Sequence, residues 1–347
     1  MAESKALRGI AILGIILHNY CHFLGFAVKE NEYTFTASKP RQLLERMLTL
    51  DDNLFIHVMS FFGHYGVPVF LFISGFGLVY KYERSTPTRV RALPFIGFHY
   101  AKLLRLMFLG YIGFAVVSYL HPHGYHGYTV GRVIAQLLMY INLMPDPDHI
   151  IKPGPYWYFG LMLQLYIVYR LVLYRRSSAV TLALIVLCTA VQAFFPPSVD
   201  GGGEILNRIR YNFIGGTLPF GAGILYARHG RNLPLPINLT IVVVSAFIVF
   251  IGSFYFWSWL FVPLFIVTGA VATMKLIPDK ALAPCVWFGA ISSALFVMHP
   301  ITREIIIKMS YRGYIYTGLI TYIVTSILLA WLFKLMFRYI PKPKLKI

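Results

Sequence analysis

The sequence predicts an all-α integral membrane protein, a single bundle of about ten transmembrane helices with both termini in the cytoplasm. Hydrophobic residues make up 58% of the 347 residues and charged residues only 13%, a balance that is unusual for soluble globular chains. Apolar runs of spanning length recur along the chain. The Lys and Arg residues, whose excess gives a formal charge of +18, cluster between these runs, as expected of residues that orient helices in a bilayer.

The apolar runs define the expected spans, because each approaches the ~20 residues that cross a hydrocarbon core. They lie at 7–28, 54–80, 104–120, 155–174, 178–197, 210–227, 236–252, 253–274, 286–307 and 314–338. A shorter run at 130–145 precedes "PDPDHIIKPGP", and we interpret it as interfacial or re-entrant. Ten spans from a cytoplasmic N-terminus place nineteen of the 31 Lys and Arg inside, whereas a crossing at 130–145 would move Arg175 and Arg176 outside.

The organisation is that of one membrane domain over residues 1–347. No repeat of 20 to 50 residues and no matched pair of broken helices is apparent. The first apolar run lacks a cleavage site, so we expect it to remain as a signal anchor. Cys21, Cys188 and Cys285 all fall within apolar runs, which makes a disulfide framework unlikely to form. The basic residues indicate membrane topology and anion binding, and we expect no nucleic-acid partner.

Ionisable side chains inside a membrane are costly and are therefore candidates for function. Of the thirteen acidic residues, only Glu304 falls within a predicted span, so a carboxylate relay is hard to build. Histidine is the alternative, since an unperturbed pKa near 6.5 suits acid–base chemistry at neutral pH. Five histidines fall within predicted spans: His18, His22, His57, His64 and His299. Each could instead be an interior histidine bonded to a backbone carbonyl, although the clustering of His18 with His22 favours function.

The segment "KALRGIAILGIILHNYCHF" places Arg8 at the cytoplasmic mouth of the first span and His18 roughly 16 Å in from the cytoplasmic start of that span. At 100° per residue, Arg8 and His22 are about 40° apart on the helix and Arg8 and His18 about 80°. All three point broadly into one half of the helix. The pattern indicates a route from an anionic cytosolic ligand to a buried base.

Four segments resemble motifs of the membrane acyltransferase 3 family, the integral-membrane O-acyltransferases that decorate bacterial surface glycans. "LRGIAILGIILHN" is similar to its first-helix signature, a basic residue followed by a histidine. "GVPVFLFISGFGL" (66–78), "PYWYFGLMLQLY" (155–166) and "ISSALFVMHPI" (291–301) resemble its second-helix, tryptophan-bearing and His-Pro motifs. The family pattern has ten residues between the arginine and the histidine, whereas nine separate Arg8 from His18. A local bulge would restore the face, or His22 takes the role; we favour His18.

The resemblance implies an acyl donor taken from the cytosol, with acetyl-CoA expected as co-substrate. It also implies an acceptor hydroxyl on a glycan or lipid-linked sugar, at the bacterial cytoplasmic (inner) membrane. The basic stretch 81–105 suits the phosphates of CoA, although positive-inside bias alone would also produce it. The predicted donor-binding residues are Arg84, Arg89, Arg91, Lys102 and Arg105.

The catalytic roles follow from the same resemblance. His18, or His22 in its place, acts as general base or carries the acyl group, and Arg8 orients the base or the donor. Ser74 donates to the thioester carbonyl or oxyanion, unless it bonds to its own helix. We assign four residues to the acceptor: His64, Trp157, Tyr158 and His299. The aromatic pair among them could instead be interface anchors.

No metal is expected. The run "HPHGYHGY" carries His121, His123 and His126, but no matching cysteine or carboxylate set accompanies it. Besides acyl-CoA and the acceptor, the expected partners are the lipid bilayer and a separate extracytoplasmic protein for any second transfer step. The alternative function is a transporter or flippase for a glycan-linked or acylated small substrate, which would have no need to bind CoA.

Overall fold

The computed structural model describes residues 2–86, 88–120 and 127–345. Helix accounts for 77% of the chain, and the described residues contain no strand. The all-helical class predicted from the sequence is therefore confirmed.

The first half of the chain forms eight α-helices. They are α1 (Ala2–Cys21), α2 (Ser38–Leu48), α3 (Leu54–Phe62), α4 (Gly66–Val79), α5 (Ala92–Leu120), α6 (Val130–Leu137), α7 (Pro147–Ile150) and α8 (Trp157–Val168). A 3₁₀ turn at Gly63–Tyr65 joins α3 to α4, and π-helical turns at Tyr80–Arg84 and Tyr169–Leu173 extend α4 and α8. These irregular turns keep the long segments continuous while changing their direction.

The second half forms eight more helices. They are α9 (Ser178–Phe194), α10 (Glu204–Arg210), α11 (Phe213–His229), α12 (Leu235–Gly252), α13 (Phe256–Trp259), α14 (Val262–Leu276), α15 (Asp279–Tyr311) and α16 (Ile315–Met336).

Among the described residues, six helical segments are long and apolar enough to cross a membrane. They are Leu54–Arg84, Ala92–Leu120, Gly154–Leu173, Leu235–Gly252, Asp279–Tyr311 and Ile315–Met336. The protein is thus a multi-pass membrane protein, while ten crossings and cytoplasmic termini stay predictions. Helix α6, in the run interpreted as interfacial or re-entrant, has 8 residues and rises only about 12 Å, too little to cross.

Helix ends differ from the predicted span ends in several places. Helix α1 ends at Cys21 rather than near residue 28, and α5 begins at Ala92 rather than near 104. The run at 253–274 is divided between α13 and α14. Hydropathy marks the part of a helix that suits lipid, whereas backbone hydrogen bonding continues into polar flanks or stops at a turn. Lys102 and Arg105 consequently lie well inside α5.

Close packing around α1 positions the candidate site. A Cβ on Gly9 would overlap the Cys285 carbonyl oxygen of α15, and a Cβ on Gly289 would overlap the Lys5 carbonyl oxygen of α1. On another side, a Cβ on Gly63 would lie 2.6 Å from the Gly14 carbonyl oxygen. Small residues let membrane helices approach this closely. Helix α1 is therefore held between α15 and the α3–α4 segment.

Candidate active site

A backbone contact orients the imidazole of His18. It lies near the end of α1 and is 7% exposed. Its Nδ1 is 2.8 Å from the Ser60 carbonyl oxygen of α3. A carbonyl can only accept, so Nδ1 carries the hydrogen and Nε2 keeps its lone pair. That Nε2 faces the Glu32 carboxyl, with 4.0 Å between Nε2 and Oε2.

Two further imidazoles flank His18. The ring centroid of His22 is 5.2 Å away and that of His64 is 5.6 Å away. His22 lies in the turn after α1, where its Nδ1 is 2.7 Å from Glu30 Oε2. His64 lies in the 3₁₀ turn before α4 and is buried, and its Nδ1 has no partner among the described residues. The structure therefore brings together three of the histidines singled out in the sequence.

The acidic residues near His18 were missed by sequence reasoning. Glu30 and Glu32 follow the first span in a stretch that folds back into the bundle, and Glu30 is only 9% exposed. The Trp259 indole donates to the Asn31 carbonyl at 2.8 Å, and Arg210 donates to the Glu32 carbonyl at 2.8 Å. Two carboxyl groups therefore lie beside His18 although neither residue falls within a predicted span. The sequence signal that could have found them is the group of charged residues directly after the first apolar run. Hydropathy alone assigns these residues to an outer loop.

The surroundings of Glu30 and Glu32 shift the pKa values of the two carboxyl groups in opposite directions. Burial alone would raise the pKa of Glu30, but the nearby imidazoles of His18 and His22 hold that pKa below its usual range. Burial, and next the charge of Glu30, raises the pKa of Glu32 well above its usual value. Glu30 is thus an ionised partner for His22, while Glu32 retains its proton to higher pH. Neighbouring acids with pKa values pushed apart are typical of acid–base sites.

Helix α15 closes the opposite side of α1. His299 is fully buried, and its Nδ1 is 3.1 Å from the Leu295 carbonyl, which leaves Nε2 without a partner among the described residues. Arg303 donates to Asn19 Oδ1 at 3.1 Å, and its guanidinium lies 3.9 Å from the centre of the Phe23 ring. These contacts place Arg303 against the end of α1, and His299, one turn earlier on α15, is close enough for the charge of His18 to act on it.

His57, by contrast, has a structural role, because both of its ring nitrogens are bonded to neighbouring segments. It is 1% exposed, accepts a bond from the Val28 backbone N–H at 3.2 Å, and its Nε2 is 3.2 Å from Asp51 Oδ1. Its nitrogens therefore tie the stretch after α1 to the start of α3.

Trp157 packs inside the bundle. It is 6% exposed, and its ring centroid is 5.1 Å from those of Tyr33 and Tyr211. Those two tyrosines stack on each other at 3.7 Å. A cavity of about 40 Å³, lined by Glu32, His64 and Trp157 among others, lies beside this aromatic group. The burial of Trp157 argues against its being an interface anchor.

Three cations lie near the other end of α1. Arg8, Lys81 and Lys102 are exposed, and the charges of Arg8 and Lys81 act on Lys102. Arg8 and Lys102 form no hydrogen bond or ion pair with any residue that the structure describes. The charge of Arg8 also acts on the hydroxyls of Tyr158 and Tyr166 of α8. Arg8 and Lys102 thus lie near the partly exposed Tyr158 and Tyr166, toward the N-terminal end of α1 from His18.

Comparison with known proteins identifies the family. A family model described as an acyltransferase domain, that of the acyltransferase 3 family, matches residues 2–335. The chain belongs to the acyltransferase 3 family. The family predicted from the motifs is therefore confirmed, and membership supports acyltransferase activity in general. No curated protein and no solved structure matches the chain.

In this acyltransferase 3 protein, the predicted donor-binding residues do not converge. Arg105 donates to the carbonyls of Phe337 at 2.6 Å and Ile340 at 2.7 Å, and its guanidinium stacks 3.7 Å above the Phe337 ring. Arg84 points to the Arg228 carbonyl at 3.4 Å. Arg89 and Arg91 are exposed in the connection to α5. Of the five predicted residues, only Lys102 lies near Arg8. Arg105, one turn further along α5, instead bonds to the C-terminal segment.

Ser74 bonds to its own helix, the alternative to a role in binding the thioester carbonyl. Its hydroxyl donates to the Phe70 carbonyl one turn earlier, at 2.8 Å. A hydroxyl inside an apolar helix can bond to a backbone carbonyl in this way at little cost, so the hydroxyl hydrogen of Ser74 is already used.

Helix α1 runs without a bulge from Ala2 to Cys21, so no local irregularity compensates for the nine-residue spacing between Arg8 and His18. His18 nevertheless points into the bundle.

Among the residues that the structure describes in this acyltransferase, two groups of side chains come close enough to hold a metal. The first is His18, His22 and Glu30, whose ligand atoms lie within 4.8 Å of one another. Two imidazoles and a carboxylate are a common zinc set, but the ammonium groups of Lys29 and Lys39 bond beside it and disfavour a further cation. The second group is the surface set at 146–149. His121, His123 and His126 lie outside the described residues.

Proposed function

We propose that this acyltransferase moves an acyl group, acetyl in the simplest case, from cytosolic acyl-CoA to a hydroxyl of a surface glycan or lipid-linked sugar. The proposed location is the bacterial cytoplasmic membrane. One observation carries the chemistry. The Ser60 carbonyl fixes the His18 tautomer, so that a free Nε2 faces the bundle interior. A neutral, oriented imidazole is the group that an acceptor hydroxyl needs as its base.

The donor is proposed to bind at the N-terminal end of α1. The phosphates of CoA are multiply charged, and the unpartnered Arg8 and Lys102 offer charge-assisted donors beside Lys81. From Arg8, α1 rises about 15 Å to His18, so the thioester must travel inward on its flexible arm. Tyr158 and Tyr166 line the side of that route facing Arg8.

The transfer step needs one base and one leaving group. His18 Nε2 takes the proton of the acceptor hydroxyl while the oxygen attacks the thioester carbonyl. The C–S bond then breaks, the ester remains on the acceptor, and the CoA thiolate leaves and recovers a proton from the imidazolium. The ionised Glu30 beside His22 offsets the transient positive charge. A covalent acyl-histidine at Nε2 would use the same orientation.

Binding of acetyl-CoA to the protein in lipid nanodiscs, measured by calorimetry, tests the donor site. We expect Lys102→Gln to weaken binding at least tenfold, because a lost charge-assisted contact costs roughly 1.5–3 kcal/mol. Arg89→Gln, which removes an exposed charge from the same basic stretch, should leave binding unchanged. Equal losses in both variants would reject the donor site, and no binding by folded protein would favour the transporter alternative.

A further inference from the structure

The C-terminal end of α1 is surrounded by cations that lack acidic partners. Lys29, Lys39, Arg210 and Arg303 lie around the histidine cluster. Within the described residues, none of the four has a carboxylate oxygen within 4.0 Å. Their formal charges are therefore held by neutral groups.

The two lysines bond only to backbone oxygens. Lys29 donates to the carbonyls of His22 and Leu24, the latter at 3.0 Å. Lys39 donates to the Glu30 carbonyl at 2.7 Å, not to its carboxylate. Both residues are half-buried. An ammonium group has three N–H donors, and these contacts use two on Lys29 and one on Lys39, which leaves at least one on each for a ligand.

The two arginines are held in the same manner. Arg210 donates to the Glu32 carbonyl at 2.8 Å and to Gln192 Oε1 at 2.9 Å, and it lies 4.1 Å from the Trp259 ring. Arg303, only 4% exposed, bonds to Asn19 and packs on an aromatic ring. Cation–π and amide contacts orient a guanidinium but do not neutralise it.

Acidic residues in this region offset these charges only from a distance: the charge of Glu30 acts on Lys29 and Lys39, but neither lysine forms an ion pair with a described residue. Glu30 is the ionised carboxylate, and it is already engaged by His22 at 2.7 Å. Burial raises the pKa of Glu32 and of Asp148, which favours their neutral forms. Burial also lowers the pKa of Lys29 and Lys39, as expected of ammonium groups that leave water without an ionic partner. A region of this kind stabilises an incoming anion.

We propose that the acceptor carries an anionic group, a phosphate or a carboxylate, which binds Lys29 and Lys39 while its hydroxyl reaches His18. The inference rests on the proposed transfer function and narrows its acceptor class. Lys29 bonds to the backbone of His22, and Lys39 to that of Glu30, so an anion on these lysines sits beside the His22–Glu30 pair. The half-buried Arg210 and the buried Arg303 add longer-range attraction.

The test measures acceptor binding alone, in zwitterionic nanodiscs without acyl-CoA. The probes are a glucuronate tetrasaccharide against a glucose tetrasaccharide, and a polyprenyl phosphate against the corresponding polyprenol. The variants are Lys29→Gln and Lys39→Gln, with Arg41→Gln as the matched control, since it removes an exposed charge from α2, the helix that also carries Lys39. Thermal unfolding establishes that each variant is folded.

We expect at least one anionic probe to bind ten times more tightly than its neutral counterpart, and that preference to fall several-fold in both lysine variants while Arg41→Gln keeps it. The probe that shows the preference identifies a carboxylate or a phosphate as the recognised group. No preference, a preference that survives both lysine changes, or an equal loss in Arg41→Gln would overturn the proposal. Displacement of the probe by phosphatidylglycerol would also overturn it, because the anion would then be a membrane lipid. Acetyl-CoA binding, measured separately, reports on the transfer function itself.

Discussion

A single backbone contact distinguishes His18 from its neighbour His22. Because Nδ1 donates to Ser60, Nε2 is free, whereas His22 commits its Nδ1 to Glu30. We expect His18→Gln to lower acyl transfer at least ~100-fold, the contribution of a positioned base, and to leave acetyl-CoA affinity nearly unchanged. His22→Gln should lower acyl transfer less than His18→Gln does. Incorporation of labelled acetyl groups into the envelope of expressing cells checks this; a larger loss in His22→Gln would assign the base to His22.

Glu32 gives the folded protein a pH dependence with a definite sign. Burial and the Glu30 charge raise the pKa of Glu32, so its contribution to stability is fully present below the unfolded pKa and is lost as pH rises through the folded value. Glutamine does not titrate. The unfolding midpoint of Glu32→Gln relative to wild type should therefore increase from pH 5 to pH 8, each unit of pKa shift being worth about 1.4 kcal/mol.

Thermal unfolding in detergent at several pH values measures this difference. Glu45→Gln, on the exposed face of α2, is the matched control and should show no pH-dependent gain. A difference for Glu32→Gln that stays constant with pH would mean that Glu32 is ionised at low cost, and would remove it from the acid–base pair with Glu30.

At the scale of elements, the contact between α1 and α15 determines whether the site exists. Gly289 meets the Lys5 carbonyl so closely that any Cβ would overlap it, whereas a Cβ on Gly97 in α5 would meet nothing within 4 Å. We expect Gly289→Ala to destabilise the protein by about 1–3 kcal/mol, the usual cost of overpacking, and to lower transfer. Gly97→Ala should do neither. Thermal unfolding together with acetyl incorporation tests both; unchanged transfer would show that α15 does not position His18.

Sequence reasoning succeeded where one helix carries the signal. The alternation of apolar runs and basic clusters predicts the helical class, and the spacing of His18 and His22 within one segment predicts their proximity. It failed where distant segments meet. Glu30 and Glu32 enter the bundle through contacts with Arg210 and Trp259, more than a hundred residues away, which periodicity cannot reveal. Arg105 fits the phosphate pattern in sequence, yet α5 directs it to the C-terminal carbonyls.

For the whole molecule, the proposed transfer requires the two ends of α1 to face opposite sides of the membrane. Leu50 lies between α3 and α2, the helix that carries Lys39, and Arg89 lies just before α5, the helix that carries Lys102; both are exposed. In a Cys285→Ser background, which removes the partly accessible native thiol, a membrane-impermeant maleimide should label Leu50→Cys only from outside intact cells. Arg89→Cys should label only in inverted vesicles. Labelling of both from one side would contradict a donor and an acceptor on opposite faces, because the same helix would then have to present both of its ends to one compartment.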